Sequence, residues 1–272
     1  MKIGIVSLGL IGGSIFKCLS AKQLNVIGIT QNINTLNYAK KYNLQIFNNL
    51  QLLKDSDIVF VCSPISQTLK ALDTLESIVS KNCIVTDVAS LKSFVMQKER
   101  PYKFIGSHPM AGTEHSGFDY SSKDLFINAK WALTLSKNSS KADIDILSNL
   151  IKKMGANPII IDPQDHDFAC ALISHMPLIL SQALFLTGSK NNLALTLASS
   201  GFRDMTRLSM TNPNLASDML SFNKDNILKS LKLLNKNIEY LINNPDYLSI
   251  IQPIINNRLN MYDQDGKNKL LF

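Results

Sequence analysis

Arginine is scarce in this chain: only four of its 28 basic residues are Arg, and the net charge of +7 comes with no basic tail and no aromatic-interleaved basic stripe. That distribution argues against a nucleic-acid surface and suits an anionic small-molecule partner, although Lys, Asn and Ile are abundant everywhere and give the charge a purely compositional source too. Cysteine is sparse as well. Cys18, Cys62, Cys83 and Cys170 form no C-x-x-C pair and no metal-ligand spacing, and each lies in an apolar run. A disulfide scaffold is excluded, and reduced core thiols in a cytoplasmic protein are expected.

Long apolar runs are missing, with one imitation. Lys2 followed by residues 3–16 looks like a signal peptide, with Leu19-Ser20-Ala21 as a poor cleavage site, but Gly4, Gly9, Gly12 and Gly13 interrupt it at turn-like positions. A strand, a tight turn and a helix start account for these residues better. Nowhere else do about 18 apolar residues follow one another uninterrupted, so no membrane span is expected. Internal repeats and low-complexity linkers are also lacking.

What is present is a chain of 272 residues, 45% of them hydrophobic, enough for one large or two ordinary domains with a proper core. Up to about residue 161, short β-rich runs alternate with helix-length segments. The strand candidates are 2–7, 26–30, 58–62, 84–87, 104–107, 131–135 and 158–161, most of them continuous apolar runs as in strands buried on both faces. Helix candidates include 35–42, 67–79 and 141–154. After Asp162-Pro163 no convincing strand remains and helical periodicity runs to about Leu248. The expected fold class is α/β: a Rossmann-type, doubly wound, mostly parallel sheet in a nucleotide-binding domain over residues 1–163, with an all-helical substrate and dimerisation domain over 164–272. Leu228, Leu231, Leu234, Ile238 and Ile242 line one side of a helix, a stripe that a second copy or the chain's own first domain would cover. The last dozen residues are expected to fray.

The first chemical signal is Ser7-Leu8-Gly9-Leu10-Ile11-Gly12-Gly13, which stands where G-x-G-x-x-G would stand between a first strand and a helix. Gly9 would admit a pyrophosphate, Gly12 would let helix and strand pack closely, and the backbone of Leu10 and Ile11 would offer helix-terminal donors. Ser7 replaces the first glycine, so the turn has to be made with a Cβ present. At the end of the second strand, where an NAD enzyme places Asp or Glu on the ribose, stand Thr30, Gln31 and Asn32, followed by Thr35. No acidic residue occurs before Asp55. A 2′-phosphate held by neutral donors fits, and NADP is the expected cofactor, with Lys40 and Lys41 as the only cations nearby in sequence.

Two polar segments follow that core packing does not require. In residues 104–117 a strand delivers His108 into a Pro- and Gly-rich loop at the carboxyl end of the sheet, where ligands of open α/β sheets bind. A hydrogen-bonded structural histidine is the commoner role, but the loop favours general base catalysis. In residues 199–207, Arg203 and Arg207 offer planar forks for a carboxylate, with Arg203 expected to pair with Asp204. His166 and His175 are nine residues apart and need not share a helix face, so no catalytic metal is implied.

Taken in order, Leu8-Gly9-Leu10-Ile11-Gly12, Cys62-Ser63-Pro64, Thr86-Asp87-Val88-Ala89-Ser90-Leu91-Lys92, His108-Pro109-Met110-Ala111-Gly112-Thr113, Ile173-Ser174-His175 and Gly201-Phe202-Arg203-Asp204-Met205-Thr206-Arg207 resemble the arogenate/prephenate dehydrogenases. The resemblance spans nearly the whole chain and is strongest to the short cyanobacterial-type arogenate enzymes. It implies oxidative decarboxylation of arogenate to tyrosine with NADP. By the same resemblance, His108 accepts a bond from the ring hydroxyl and helps remove its proton, and Ser90 bonds that hydroxyl near the nicotinamide ribose. His175 and Thr113 contact substrate, and Arg207 binds its carboxylate. Glu114 sits where some members have a gating glutamate. The family is usually dimeric, so a homodimer is implied, with no nucleic acid and no membrane as partner. Prephenate differs from arogenate only in carrying a keto group for the ammonium, which Asp167, Gln164 or Glu114 would face. Other readings are prephenate oxidation to 4-hydroxyphenylpyruvate, a two-domain NADP oxidoreductase of the β-hydroxyacid dehydrogenase or imine reductase type, and a non-enzymatic NADP-sensing module.

Overall fold

A computed structural model describes residues 1–113 and 115–262; Glu114 and the segment expected to fray beyond Tyr262 lie outside the described residues. Eight strands, β1 (Lys2–Val6), β2 (Asn25–Ile29), β3 (Ile46–Phe47), β4 (Ile58–Val61), β5 (Ile84–Asp87), β6 (Lys103–Pro109), β7 (Lys130–Leu135) and β8 (Asn157–Ile160), form one sheet in the order β3-β2-β1-β4-β5-β6-β7-β8. Every neighbouring pair is parallel except β6 with β7. The doubly wound, mostly parallel sheet expected from the alternating pattern is therefore present, with its reversal of strand order between β1 and β4.

The register aligns the carboxyl ends of the inner strands. Val6 stands opposite both Ile29 and Val61, and Val61 opposite Asp87. The loops after β1, β2, β4 and β5 therefore open on one edge, the place where such sheets bind ligands. Alternate strand residues feed two separate cores: Ile3, Ile5, Ile58 and Phe60 on one face, Val6, Ile29, Val59 and Val61 on the other. Burying a side chain of this size stabilises by about 1.5–3 kcal/mol. Continuous apolar strands are what a sheet covered on both faces needs.

The crossovers on this sheet are α1 (Leu10–Ala21), α2 (Ile33–Lys41), α3 (Ile65–Leu75) and α4 (Lys141–Lys153). Local chemistry starts them. Asn32 Oδ1 accepts from Thr35 N at 3.0 Å to cap α2, and Ser140 with Asp143 forms a reciprocal capping box on α4. From Pro163 to Met261 the described elements are all helical: α5 (Pro163–Cys170), a π-helical turn at Ala171–His175, α6 (Met176–Gly188), α7 (Asn192–Thr196), α8 (Ser200–Met205), a 3-10 turn at Arg207–Met210, α9 (Pro213–Asn243) and α10 (Tyr247–Met261). Asp162 caps α5, accepting from Gln164 N at 2.8 Å, while Pro163 fills a first-turn position where no N–H is required. α9 bends at Asn223, whose φ of −130° and ψ of 21° depart from helical values.

The continuous helix Pro163–Gly188 is long and apolar enough to cross a membrane by length and composition alone. It carries buried His166, Asp167 and His175, and the bonds of His166 and Asp167 tie it to the sheet domain. By spatial contact the chain divides into one compact unit, Met1–Ile227, and a second that begins at Leu228. Helical structure thus begins near Pro163 while the first unit continues beyond it, because Asp167 is bonded to the backbone at Lys92 and Ser93. In the second unit Leu228, Ile238 and Ile242 are exposed on the single chain.

Candidate active site

The turn after β1 shows how a serine replaces the first glycine of the nucleotide loop. Ser7 adopts a φ of +69°, the left-handed conformation that glycine would take without strain, and its Oγ lies 3.0 Å from Ser63 Oγ. A Cβ on Gly12 would come 2.1 Å from the Ser7 carbonyl oxygen and 3.0 Å from Cys62 Cβ. Gly12 is thus the close-packing glycine. Gly9 is different: a Cβ there would meet nothing within 4 Å, and α1 has no side-chain cap. The first N–H groups of α1, at Leu10 and Ile11, have no intrahelical acceptor and remain available to a phosphate approaching over Gly9. The cradle therefore fits a dinucleotide pyrophosphate.

Thr30, Gln31, Asn32 and Thr35 lie at the end of β2 and the start of α2. Asn32 Oδ1 is engaged by Thr35 through both N and Oγ1, and Thr30 Oγ1 accepts from Asn32 N at 3.2 Å. Gln31 is exposed, its Nε2 donating to Asn48 O at 3.4 Å. No carboxylate stands in this turn. Lys40 and Lys41 occupy the last turn of α2, about 10 Å along the helix from its start, and so belong to its other end. Cys62-Ser63-Pro64 closes the neighbouring edge: Cys62 N donates to Val6 O at 2.8 Å, and Pro64 precedes α3. Burial pushes the Cys62 thiol far up, which keeps it protonated.

Beyond β5 the loop bearing Ser90 is held by a fully buried ion pair between Asp87 and Lys92. Lys92 Nζ also donates to Ser107 O at 2.6 Å, while Asp87 accepts from Ala89 N at 2.9 Å and from Ser107 N at 3.1 Å. A charge pair taken this far from water is tolerable only with such additional bonds. Asp167 then caps the end of the same loop, accepting from Lys92 N at 2.7 Å and Ser93 N at 2.8 Å. Burial opposes its ionisation, but the bonds from His166, Lys92 and Ser93 outweigh that and hold the carboxyl below its usual range. Both Asp167 oxygens are committed, and exposed Gln164 turns its amide to Asp162. Neither is therefore placed to face a substrate ammonium.

Ser90, His108, Pro109, Met110, Ala111, Gly112, Cys170, Ser174, His175 and Met219 line a cavity of about 240 Å³. Ser90 Oγ is buried without a hydrogen-bond partner, an orphan hydroxyl at the cavity wall that a ligand oxygen would satisfy. His108 Nδ1 lies 3.0 Å from His166 Nε2, and His166 Nδ1 lies 2.9 Å from Asp167 Oδ1. Burial first, then the neighbouring His166, Lys92 and His175, push the His108 pKa well below its ordinary value, so its ring is neutral near pH 7. His175 is held by Asn223, whose Nδ2 lies 3.0 Å from His175 Nδ1 and donates to Asp167 O at 2.8 Å. Burial lowers its pKa to about 4.

The sequence spacing had set His166 and His175 apart. Nine residues of α-helix turn through about 900°, which leaves two side chains on opposite faces. The π turn between them acts like one inserted residue, reducing the effective angle to about 80° and bringing both rings toward His108. Cys170 Sγ also lies 3.5 Å from His166 Nε2, and the ligating atoms of His108, His166 and Cys170 fall within 4.8 Å of one another. Burial raises the Cys170 thiol to about 12 and the two rings bond each other directly, so the three read as a hydrogen-bonded group.

Two expected substrate residues stand off the cavity wall. Thr113 is exposed, its Oγ1 accepting from His115 N at 3.2 Å. Arg207 is exposed at the start of the 3-10 turn and makes no ion pair among the described residues. Arg203 pairs with Asp204 at 2.9 Å as expected. Asn223, Met219 and the roles of His166 and Asp167 were not anticipated. The only cue for the last two was the polar run Asp165-His166-Asp167 at the start of a helix that is apolar further along.

Comparison with known proteins places this geometry in a family. A sequence model described as prephenate dehydrogenase, nucleotide-binding domain, matches residues 17–160, and one described as prephenate dehydrogenase, dimerization domain, matches residues 162–247. The prephenate dehydrogenase of Bacillus subtilis is 32% identical over 241 residues, covering 82% of this chain and 64% of that protein, so the chain spans just under two thirds of that relative's length. The crystal structure of Synechocystis arogenate dehydrogenase superposes with a TM-score of 0.84 at 33% identity, over 95% of this chain and 99% of that one. The A. aeolicus prephenate dehydrogenase, solved with hydroxyphenyl propionate and NAD+, shares the fold with a TM-score of 0.86 at 24% identity, over 95% and 98% of the two chains.

Proposed function

Because the chain belongs to the prephenate dehydrogenase family, we propose that it converts arogenate to tyrosine by oxidative decarboxylation, with NADP as the hydride acceptor. The observation that carries this reading is the pairing, on one cavity wall, of a neutral His108 with the unsatisfied Ser90 hydroxyl. Ser90 Oγ hydrogen-bonds the substrate's ring hydroxyl, and His108 takes its proton. A bound nicotinamide would accept the hydride leaving the same carbon. The alcohol becomes a ketone conjugated with the carbon bearing the carboxylate, and carbon dioxide leaves as its electrons flow into the dienone and the ring becomes aromatic. Accurate positioning and one base suffice, and His175 contributes the positioning from the opposite helix. Exposed Arg207 is assigned to the substrate's carboxylate by the family resemblance.

The choice of NADP is supported by the carboxylate-free turn at Thr30, Gln31, Asn32 and Thr35, where an acid would repel a 2′-phosphate. A homodimer is supported by the match to a dimerization domain and by the exposed Leu228, Ile238 and Ile242. Four free cysteines, three of them buried, suit a reducing cytoplasm.

One observation favours prephenate instead. No carboxylate is among the described residues of the cavity wall, and an ammonium group would seek one. A panel of both acids with both cofactors tests the reading. Arogenate with NADP is expected to give the highest kcat/KM, and His108→Ala to lower it by roughly two to four powers of ten with nucleotide affinity unchanged. Higher kcat/KM with prephenate or with NAD overturns the respective part, and near-wild-type turnover in His108→Ala overturns the role of His108.

A further inference from the structure

The two histidines on the cavity wall are each held through Nδ1, but by partners of opposite kind. Asp167 is ionised, so His166 must turn an Nδ1–H toward it. With Nδ1–H turned to Asp167, His166 Nε2 is the acceptor in its 3.0 Å bond with His108 Nδ1, which places a hydrogen on that His108 nitrogen. The remaining nitrogen, His108 Nε2, is left as an acceptor at the cavity. On the other side, the Asn223 amide can only point Nδ2 at the carbonyl of Asp167, and its Oδ1 accepts from Asn226 Nδ2 at 2.9 Å. The second Nδ2 hydrogen therefore meets His175 Nδ1 as a donor, which places the ring hydrogen of His175 on Nε2.

We propose that His166 and Asn223 are positioning residues that fix opposite tautomers on the cavity wall, making His108 Nε2 the proton acceptor and His175 Nε2–H a hydrogen-bond donor to the substrate. Residue 167 is the common anchor, its carboxylate acting through His166 and its carbonyl through Asn223. The same carboxylate caps the Lys92–Ser93 end of the Ser90 loop, so one residue sets the acceptor, the donor and the hydroxyl that meet around the ligand. When His108 takes the substrate proton on Nε2 its Nδ1–H stays in place, and the resulting imidazolium is stabilised through His166 by the Asp167 anion. No further proton transfer along the chain is required. His166 is buried, and among the described residues the other titratable groups near it are His108, His175, Lys92 and Cys170, with Asp167 its single anionic neighbour.

This inference deepens the dehydrogenase reading in its account of proton removal, but the tautomers are measurable without any substrate. Protein labelled with 15N-histidine, studied at pH 7.5 by long-range 1H–15N correlation, should show His108 as the Nδ1–H form and His175 as the Nε2–H form. His166→Phe removes the acceptor and should convert His108 to a mixture of tautomers, with kcat lowered about 10- to 1000-fold and KM and nucleotide affinity nearly unchanged. His166→Gln, able to donate to Asp167 and accept from His108, should restore a large part of kcat. An Nε2–H form of His108 in the wild-type protein overturns the proposal without any variant, as does an unchanged His108 tautomer in folded His166→Phe. Inactivity of the wild-type enzyme on both acids would sink the dehydrogenase reading and leave the tautomer result standing.

Discussion

Replacing Lys92 by Met should destabilise the protein by about 3 kcal/mol, and replacing its partner as well should recover about 1–2 kcal/mol of that. Lys92 and Asp87 are both completely buried, and removing one member of such a pair leaves an uncompensated charge, at a typical cost of about 3–5 kcal/mol. The lower end applies because Asp87 keeps two backbone donors, Ala89 N and Ser107 N, each worth about 1.5–3 kcal/mol to a charged acceptor. The Ser107 carbonyl, which loses its 2.6 Å bond from Nζ, adds to the cost. In the double variant Asp87→Asn/Lys92→Met the buried charge is gone, while the amide oxygen still accepts from one of the two backbone groups. Stability should return to within about 1–2 kcal/mol of wild type, so that the double variant loses less than Lys92→Met alone, where additive losses would make it lose more. Urea unfolding followed by fluorescence reads this directly, because the single tryptophan, Trp131, is fully buried and donates to Ser107 Oγ at 3.0 Å. A loss below about 1 kcal/mol in Lys92→Met, or strictly additive losses in the double variant, would refute the reasoning.

The two glycines of the nucleotide turn should separate in their effects. Gly12→Ala must displace the Ser7 carbonyl and should lower both thermal stability, by about 1–3 kcal/mol, and nucleotide affinity, whereas Gly9→Ala should leave the melting temperature alone and weaken nucleotide binding in a fluorescence titration. Equal losses of stability in the two variants would contradict these roles. Acid should also destabilise the fold through His175. Its folded pKa of about 4 lies below the ordinary 6.5, so between these values the unfolded chain binds a proton that the folded one does not. Stability is then full above pH 6.5 and falls by at most about 3 kcal/mol as pH drops to 4. Urea midpoints across that range should fall less steeply in His175→Gln, and parallel slopes would show that His175 does not contribute.

The sheet was legible because strands buried on both faces are continuous apolar runs: seven of the eight were anticipated within a residue or two. The exception, Ile46–Phe47, is two residues long and carries no periodicity. The antiparallel pairing of β6 with β7 left no mark in the pattern, since Trp131–Leu133 is as apolar as its parallel neighbours. His108 was legible as a polar residue that a strand delivers into a loop core packing does not require, whereas Ser90 and the role of His175 entered through motif resemblance. His166 was misjudged because spacing arguments assume a uniform helix, and the π turn breaks that assumption. Asn223 gave no signal at all, being one polar residue in a long helix whose bend is visible only in the backbone angles. Thr113 entered through motif resemblance and Arg207 through its scarcity and fork chemistry, and neither kind of signal carries a residue's distance from the cavity.

The π turn also decides which kinds of sequence change this helix can absorb. The exposed Ile173 side chain can drift in size at modest cost, whereas fully buried Ala171 cannot. The count of residues between His166 and His175 is instead tied to the width of that turn. Deleting one residue while the helix closes to α pitch leaves eight α steps, about 800°, and so keeps the same angle of about 80° between the two histidines; closing the turn with every residue kept would instead rotate His175 by about 100° away from His108. Residue count and turn width are inherited as a pair in this stretch, and a change in one without the other is what moves His175.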